Sequence, residues 1–164
     1  SDGSVFVADG YGNRQVHRFS PEGDLELSWG MGGTGVGQFS FVHNLGVDSE
    51  DRVLVCDREN SRLQLFDRDG EYLATWDDVL NPGDVYISPD GLVYVAEQGR
   101  PTGEQPVGVS VFAESGELVS RFRGEQAGLV HPHGIWGDSA GNLFVAELGG
   151  HRGGGNRVLK YAKL

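Results

Sequence analysis

Short stretches in which apolar and polar residues alternate recur along the whole chain, as in Arg62-Leu63-Gln64-Leu65-Phe66. They follow the two-residue period of half-buried antiparallel strands, and no stretch keeps the longer period of an amphipathic helix. Four apolar stretches end in an acid: Val5-Phe6-Val7-Ala8-Asp9, Val53-Leu54-Val55-Cys56-Asp57, Val93-Tyr94-Val95-Ala96-Glu97 and Leu143-Phe144-Val145-Ala146-Glu147. Each leads into another strand, at 15–20, 62–67, 108–113 and 157–162, and three continue through a glycine into a further one, at 25–29, 72–76 and 118–122. Pro21-Glu22-Gly23, Asp69-Gly70, Pro89-Asp90-Gly91, Ser115-Gly116 and Ala140-Gly141-Asn142 supply hairpin turns. The acids stand 48, 40 and 50 residues apart, the period of propeller blades built from four short strands. The pattern predicts an all-β propeller segment of three to four blades, at about 1–38, 39–79, 80–127 and 128–164, with three, four, four and three strands. Each acid should close the second strand of its blade, and Trp29 and Trp76 should occupy matching environments at the ends of outer strands. The first copy has no strand before Val5 and the last none after Tyr161, so the chain is expected to belong to a longer ring and to self-associate through open sheet edges.

Composition changes this picture little. The 27 glycines among 164 residues would suit disorder, but the apolar strands between them argue against it. A net charge of −11 argues against nucleic acid or an anionic membrane as partner, since both require basic patches. The single Cys56 forms no internal disulfide and leaves the redox compartment open. The run Gly30-Met31-Gly32-Gly33-Thr34-Gly35 is like a phosphate loop only in glycine content. No helix follows it, so it reads as a connection between blades.

The candidate chemistry lies in a second frame of the same repeat. Phe41-Val42-His43-Asn44-Leu45-Gly46-Val47-Asp48 aligns with His131-Pro132-His133-Gly134-Ile135-Trp136-Gly137-Asp138, and the copy between them has Gly83 at the histidine position. In a ring of six copies, a ligand on every second copy places three groups about 120° apart around the axis. Three imidazoles so arranged leave an open position on zinc. His43 and His133 are therefore candidate metal ligands. Tyr11, in Gly10-Tyr11-Gly12-Asn13-Arg14, is a candidate base, and Arg58 the natural cation beside it, either to stabilise a phenolate or to grip a substrate carboxylate. His17 sits within an alternating strand and His151 in a glycine run, and neither is read as a ligand; His131 is an outside candidate.

The segments Val7-Ala8-Asp9-Gly10-Tyr11-Gly12-Asn13-Arg14 and Cys56-Asp57-Arg58-Glu59-Asn60-Ser61-Arg62-Leu63-Gln64-Leu65-Phe66 resemble NHL-type blades. More narrowly, the chain resembles the peptidyl-alpha-hydroxyglycine alpha-amidating lyases, in order through Arg18-Phe19-Ser20-Pro21-Glu22-Gly23, Gly37-Gln38-Phe39-Ser40, the His43 segment, Glu104-Gln105-Pro106-Val107 and Pro132-His133. That resemblance implies the later blades of a six-bladed ring and a zinc-dependent lyase that splits a peptidyl-alpha-hydroxyglycine into a peptide amide and glyoxylate, with a peptide or small carbinolamide of that kind as substrate. It implies that His43 and His133 are two of three zinc ligands, and that Tyr11 and Arg58 are catalytic. It also implies a secreted or periplasmic setting. The family's acid after the second histidine, which helps hold a structural calcium, is Gly134 here, and Gly12, Leu54 and Leu65 stand at cysteine positions. The alternative is a non-catalytic NHL-repeat propeller that serves as a peptide- or protein-binding scaffold.

Overall fold

The computed structural model describes residues 2–99, 106–149 and 156–162. His151 and the Glu104-Gln105 part of the resemblance lie outside them. Two compact units divide the chain, Ser1–Asp77 and Asp78–Leu164. Among the described residues there is no α-helix, only single 3-10 turns at Arg58–Asn60 and Gly124–Ala127, and no helix is long and apolar enough to cross a membrane.

The first unit holds a three-stranded sheet, β1 (Val5–Asp9), β2 (Gln15–Phe19) and β3 (Leu25–Trp29). A short parallel pair follows, β4 (Met31–Gly32) with β5 (Gln38–Phe39). A four-stranded sheet completes the unit: β6 (Val42–Val47), β7 (Val53–Asp57), β8 (Arg62–Phe66) and β9 (Tyr72–Trp76). The second unit repeats the scheme with β10 (Pro82–Ile87), β11 (Val93–Glu97), β12 (Gly108–Phe112) and β13 (Leu118–Arg123), then β14 (Pro132–Gly137), β15 (Leu143–Glu147) and β16 (Arg157–Tyr161). Within each blade-like sheet, consecutive strands are antiparallel neighbours, and the sheets have the expected three, four, four and three strands. Each repeat acid is the last residue of β1, β7, β11 or β15. The strand pair β4–β5 was not expected. It closes the glycine run into a small loop whose carbonyls at Thr34, Gly35 and Gln38 accept from the Arg62 guanidinium. A loop that turns its carbonyls onto a cation is the inverse of a phosphate cradle.

The periodicity explains the cores. Alternate residues of β2, β6, β7 and β8 put Val16, Val42, Val53, Val55 and Phe66 with Phe39 into one buried cluster, against which Phe6 and Trp29 pack. In the second unit Ala96, Val109, Ile135, Leu143 and Val145 form the equivalent core. Each valine, leucine, isoleucine or phenylalanine among them contributes roughly 1.5–3 kcal/mol when fully buried. Leu54 faces Leu65 across β7 and β8, both buried, at the two positions where the resemblance implies a cysteine pair. Trp29 pairs with Val16, Trp76 with Leu63 and Phe122 with Val109, one register position repeated three times. Trp76 is buried and Trp29 half-buried, so neither is free in solvent.

The aspartate five residues after each histidine has a structural role. Asp48 accepts from the backbone N–H of Glu50 and Arg52, and Asp138 from those of Ala140 and Asn142. Both build the hairpin turn that ends the strand.

Candidate functional site

The histidine frame coincides with a β-bulge. Val42 pairs with Asp57, but the next pair is Leu45 with Val55. Pro82 pairs with Glu97 and Asp84 with Ala96; Pro132 pairs with Glu147 and Gly134 with Ala146. In all three copies β6, β10 or β14 therefore carries one residue more than its partner, next to or at position 43, 83 or 133. A bulge releases a side chain from the two-sided alternation of a strand and re-aims it. In the middle copy the space is already taken: a Cβ on Gly83 would lie 2.2 Å from Gln98 Nε2.

The repeat acids hold this frame in place. The Asp57 carboxylate, fully buried, accepts from the backbone N–H of Ser40 at 2.9 Å and of Phe41 at 3.4 Å on one oxygen. Its other oxygen accepts from Asn60 and Arg62, each at 2.8 Å. Glu97 accepts from Leu80 N–H, and Glu147 from Val130 and His131 N–H, the equivalent positions. Burial by itself would raise the Glu147 carboxyl. The two backbone N–H groups and the Arg157 guanidinium outweigh it and hold the pKa below the usual range. A backbone bond repeats beside each of these three acids: Arg58 N–H to Phe41 O, Gln98 N–H to Asn81 O and Leu148 N–H to His131 O. In the three copies that have a bulged strand, the acid and the residue after it thus fix the entry to it.

In the first unit this brings three of the four candidate residues around one ring, that of Phe41. The Tyr11 ring meets it edge-on at 4.4 Å, the Arg58 guanidinium lies over it at 4.4 Å, and the His43 ring is 5.9 Å away. Gly10 makes the Tyr11 contact feasible. A Cβ there would be 1.8 Å from Val42 O, so only glycine lets the β1–β2 loop lie against β6. Tyr11 is 83% exposed, open to a ligand rather than part of a core. The Arg58 guanidinium also bridges Glu59 at 2.9 Å, an acid of its own loop.

His133 belongs to the second unit and is described there by itself. It is half-buried at its bulge, and the following residue, Gly134, sits beside Asp84. Asp84 Oδ2 accepts from Ile135 N–H at 2.7 Å, and its Oδ1 from Val85 N–H at 2.8 Å, so the nearby acid serves the backbone. The calcium site implied by the resemblance lacks its acid at 134. His17 is structural, bonded to Asp9 at 3.2 Å and Ser28 at 2.7 Å. His131 presents its backbone to Glu147 and Leu148. Neutral imidazoles suit zinc, so His43 and His133 are donors of the right type. Among the described residues no three His, Cys, Asp or Glu side chains gather as a metal-binding group.

Comparison with known proteins now bears on this geometry. No family model matches the chain. It is 31% identical over 169 residues to NHL repeat-containing protein 3 of Homo sapiens, covering 99% of this chain and 47% of that protein. The chain is an NHL-repeat β-propeller segment. It spans about half the length of that NHL relative. It is 32% identical over 157 residues to peptidylglycine alpha-amidating monooxygenase of Rattus norvegicus, covering 90% of the chain and 16% of that protein. With peptidyl-alpha-hydroxyglycine alpha-amidating lyase 1 of Drosophila melanogaster it shares 30% identity over 172 residues, 90% of the chain and 31% of that protein. Among solved structures, a streptogramin B lyase superposes with a TM-score of 0.68 at 13% identity, over 99% of this chain and 52% of that one, a likeness of fold. In this NHL segment, sequence reasoning named the histidine frame, Tyr11 and Arg58 as candidates and did not single out Phe41, Glu59 and Gln98, which the structure places beside them. Phe41 carried one signal, its place two residues before His43.

Proposed function

We propose that this NHL-repeat chain carries part of the active site of a zinc-dependent lyase that cleaves a peptidyl-α-hydroxyglycine, or a small carbinolamide like it, into an amide and glyoxylate. The gathering of Tyr11, Arg58 and His43 around Phe41 is the observation that carries this reading. His43 and His133 would each give an imidazole nitrogen to the metal. Zinc bound there supplies a Lewis acid that makes the substrate α-hydroxyl more acidic.

The chain's own residues then divide the work. The exposed Tyr11 oxygen takes the hydroxyl proton as base. The oxygen's electron pair closes the aldehyde, the carbon–nitrogen bond breaks, and the leaving amide nitrogen receives a proton, so that amide and glyoxylate together contain the atoms of the substrate. Arg58, seated on Phe41, supplies fixed positive charge for the carboxylate of the glyoxylate half. The test is glyoxylate release from an α-hydroxyglycine-extended peptide by the protein that carries these residues. Tyr11→Phe is expected to lower kcat by at least ~10²-fold with zinc content unchanged. Unchanged turnover in that variant would remove the lyase mechanism.

A second reading is a non-catalytic NHL propeller that holds a peptide. The Arg58–Glu59 ion pair favours it, because the guanidinium is already partnered. The same exposed ring and charges would then grip a ligand without cleaving it, and zinc-loaded protein would bind the peptide and release no glyoxylate.

A further inference from the structure

A groove of about 1060 Å³ runs between the sheets β10–β13 and β14–β16 of the second unit, large enough for a drug-sized ligand. Strand register decides which side chains face it. Tyr86 pairs with Tyr94, Ala96 with Val109 and Val109 with Phe122, so Tyr86, Tyr94 and Phe122 share the face of β10–β13 that packs on β14–β16. Tyr161 pairs with Leu143 on the facing sheet, and its hydroxyl donates to Ala127 O at 2.6 Å, which fixes the ring. The four rings stand in two pairs, Tyr86 with Tyr94 at 6.0 Å between centroids and Phe122 with Tyr161 at 5.5 Å.

The cations of these sheets lie on the other faces. Arg121 pairs with Ser110 and Arg123 with Gly108, in the register opposite to Phe122, and both guanidinium groups meet the buried Glu97 carboxylate. Lys160 pairs with Phe144 and lies over its ring, on the face of β14–β16 turned away from the groove. Among the described residues, the charged side chains left along the groove are Asp90 and Asp138. Asp90 accepts from Ser88 Oγ at 2.6 Å. The Asn142 amide holds the Asp138 carboxyl below the usual carboxylate range, so it stays charged near neutrality. The tyrosines report the same field. Burial and then Asp90 push the Tyr94 hydroxyl up, and burial and then Glu147 push up that of Tyr161. Aromatic faces attract a cation through the ring quadrupole, and the two carboxylates act in the same direction. An anion would find the opposite on both counts.

We propose that this groove binds an organic cation, an alkyl or quaternary ammonium group seated among Tyr86, Tyr94, Phe122 and Tyr161, with Asp90 and Asp138 supplying the opposite charge.

The probes are choline and the uncharged alcohol in which carbon replaces its nitrogen, so that shape is kept and charge is removed. Each is titrated into the full chain and followed by amide NMR shifts. Choline should bind roughly tenfold more tightly than the alcohol and shift resonances of Tyr94, Phe122 and Tyr161. Tyr94→Leu, which keeps an apolar side chain and removes the ring, should weaken choline several-fold and leave the alcohol unchanged. Asp90→Asn, at an exposed turn position, should weaken choline alone and flatten its salt dependence, and it carries the test if the tyrosine variant fails to fold. Equal binding of choline and the alcohol, no binding of choline at tens of millimolar, a preference undiminished in either variant that folds, or shifts centred on Tyr11 and Phe41 would each overturn the proposal.

Discussion

Phe41 is the residue on which the first unit's candidate chemistry turns. It offers its edge and face to Tyr11, Arg58 and His43 at once, yet in the sequence it reads as an ordinary strand-flanking aromatic. Tyr11 and Arg58 could be named as candidates because the resemblance to the lyases runs through their segments and each stands in a loop after a strand. Their common support could not, because a contact between distant residues leaves no mark on local periodicity. Phe41 is half-buried, and a cation over a ring that still meets solvent is worth about 0.5–1 kcal/mol. Phe41→Ala should therefore lower kcat/KM for glyoxylate release several-fold with zinc retained, and Phe41→Trp should restore it. An unchanged kcat/KM in the alanine variant would show that the ring merely packs. Arg58→Ala separates the two roles open to that cation. If it holds the substrate carboxylate, KM rises most; if it steadies a Tyr11 phenolate, the pH profile of kcat moves instead.

Strands and their closing acids could be read from the alternation, and the ends differ by about one residue. The bulges could not, because an extra residue on one strand only becomes visible once its partner is placed. The bulge and the acid act together, and each can be tested. Gly10→Ala would push a methyl into Val42 O and should cost about 1–3 kcal/mol, read as a lower urea midpoint with an unchanged m-value. A neutral outcome would mean that the β1–β2 loop does not depend on its close approach to β6. Glu147 tests the acid. Its folded pKa is depressed, so the stability it adds is present above its unfolded value of ~4.3 and is lost as pH falls through the folded value. Glu147→Gln should therefore be less stable than wild type at pH 7, with the gap closing at pH 3. A gap that stays constant with pH would show that the charge contributes nothing.

For the molecule as a whole, the sheet sequence of three, four, four and three strands followed from counting strands between acids, and similarity to NHL relatives agrees with it. The groove of the second unit did not follow, since the spacing between facing sheets depends on side-chain volumes that no period encodes. The alternate-copy histidines, placed at equivalent bulges in separate units, hold the central claim that this frame binds a catalytic metal. The most direct measurement is zinc content and glyoxylate release on the same preparations of wild type, His43→Ala and His133→Ala. The account predicts that each substitution lowers zinc occupancy and turnover together. Full zinc occupancy and undiminished turnover in both variants would contradict it, as would turnover that persists after the zinc is lost.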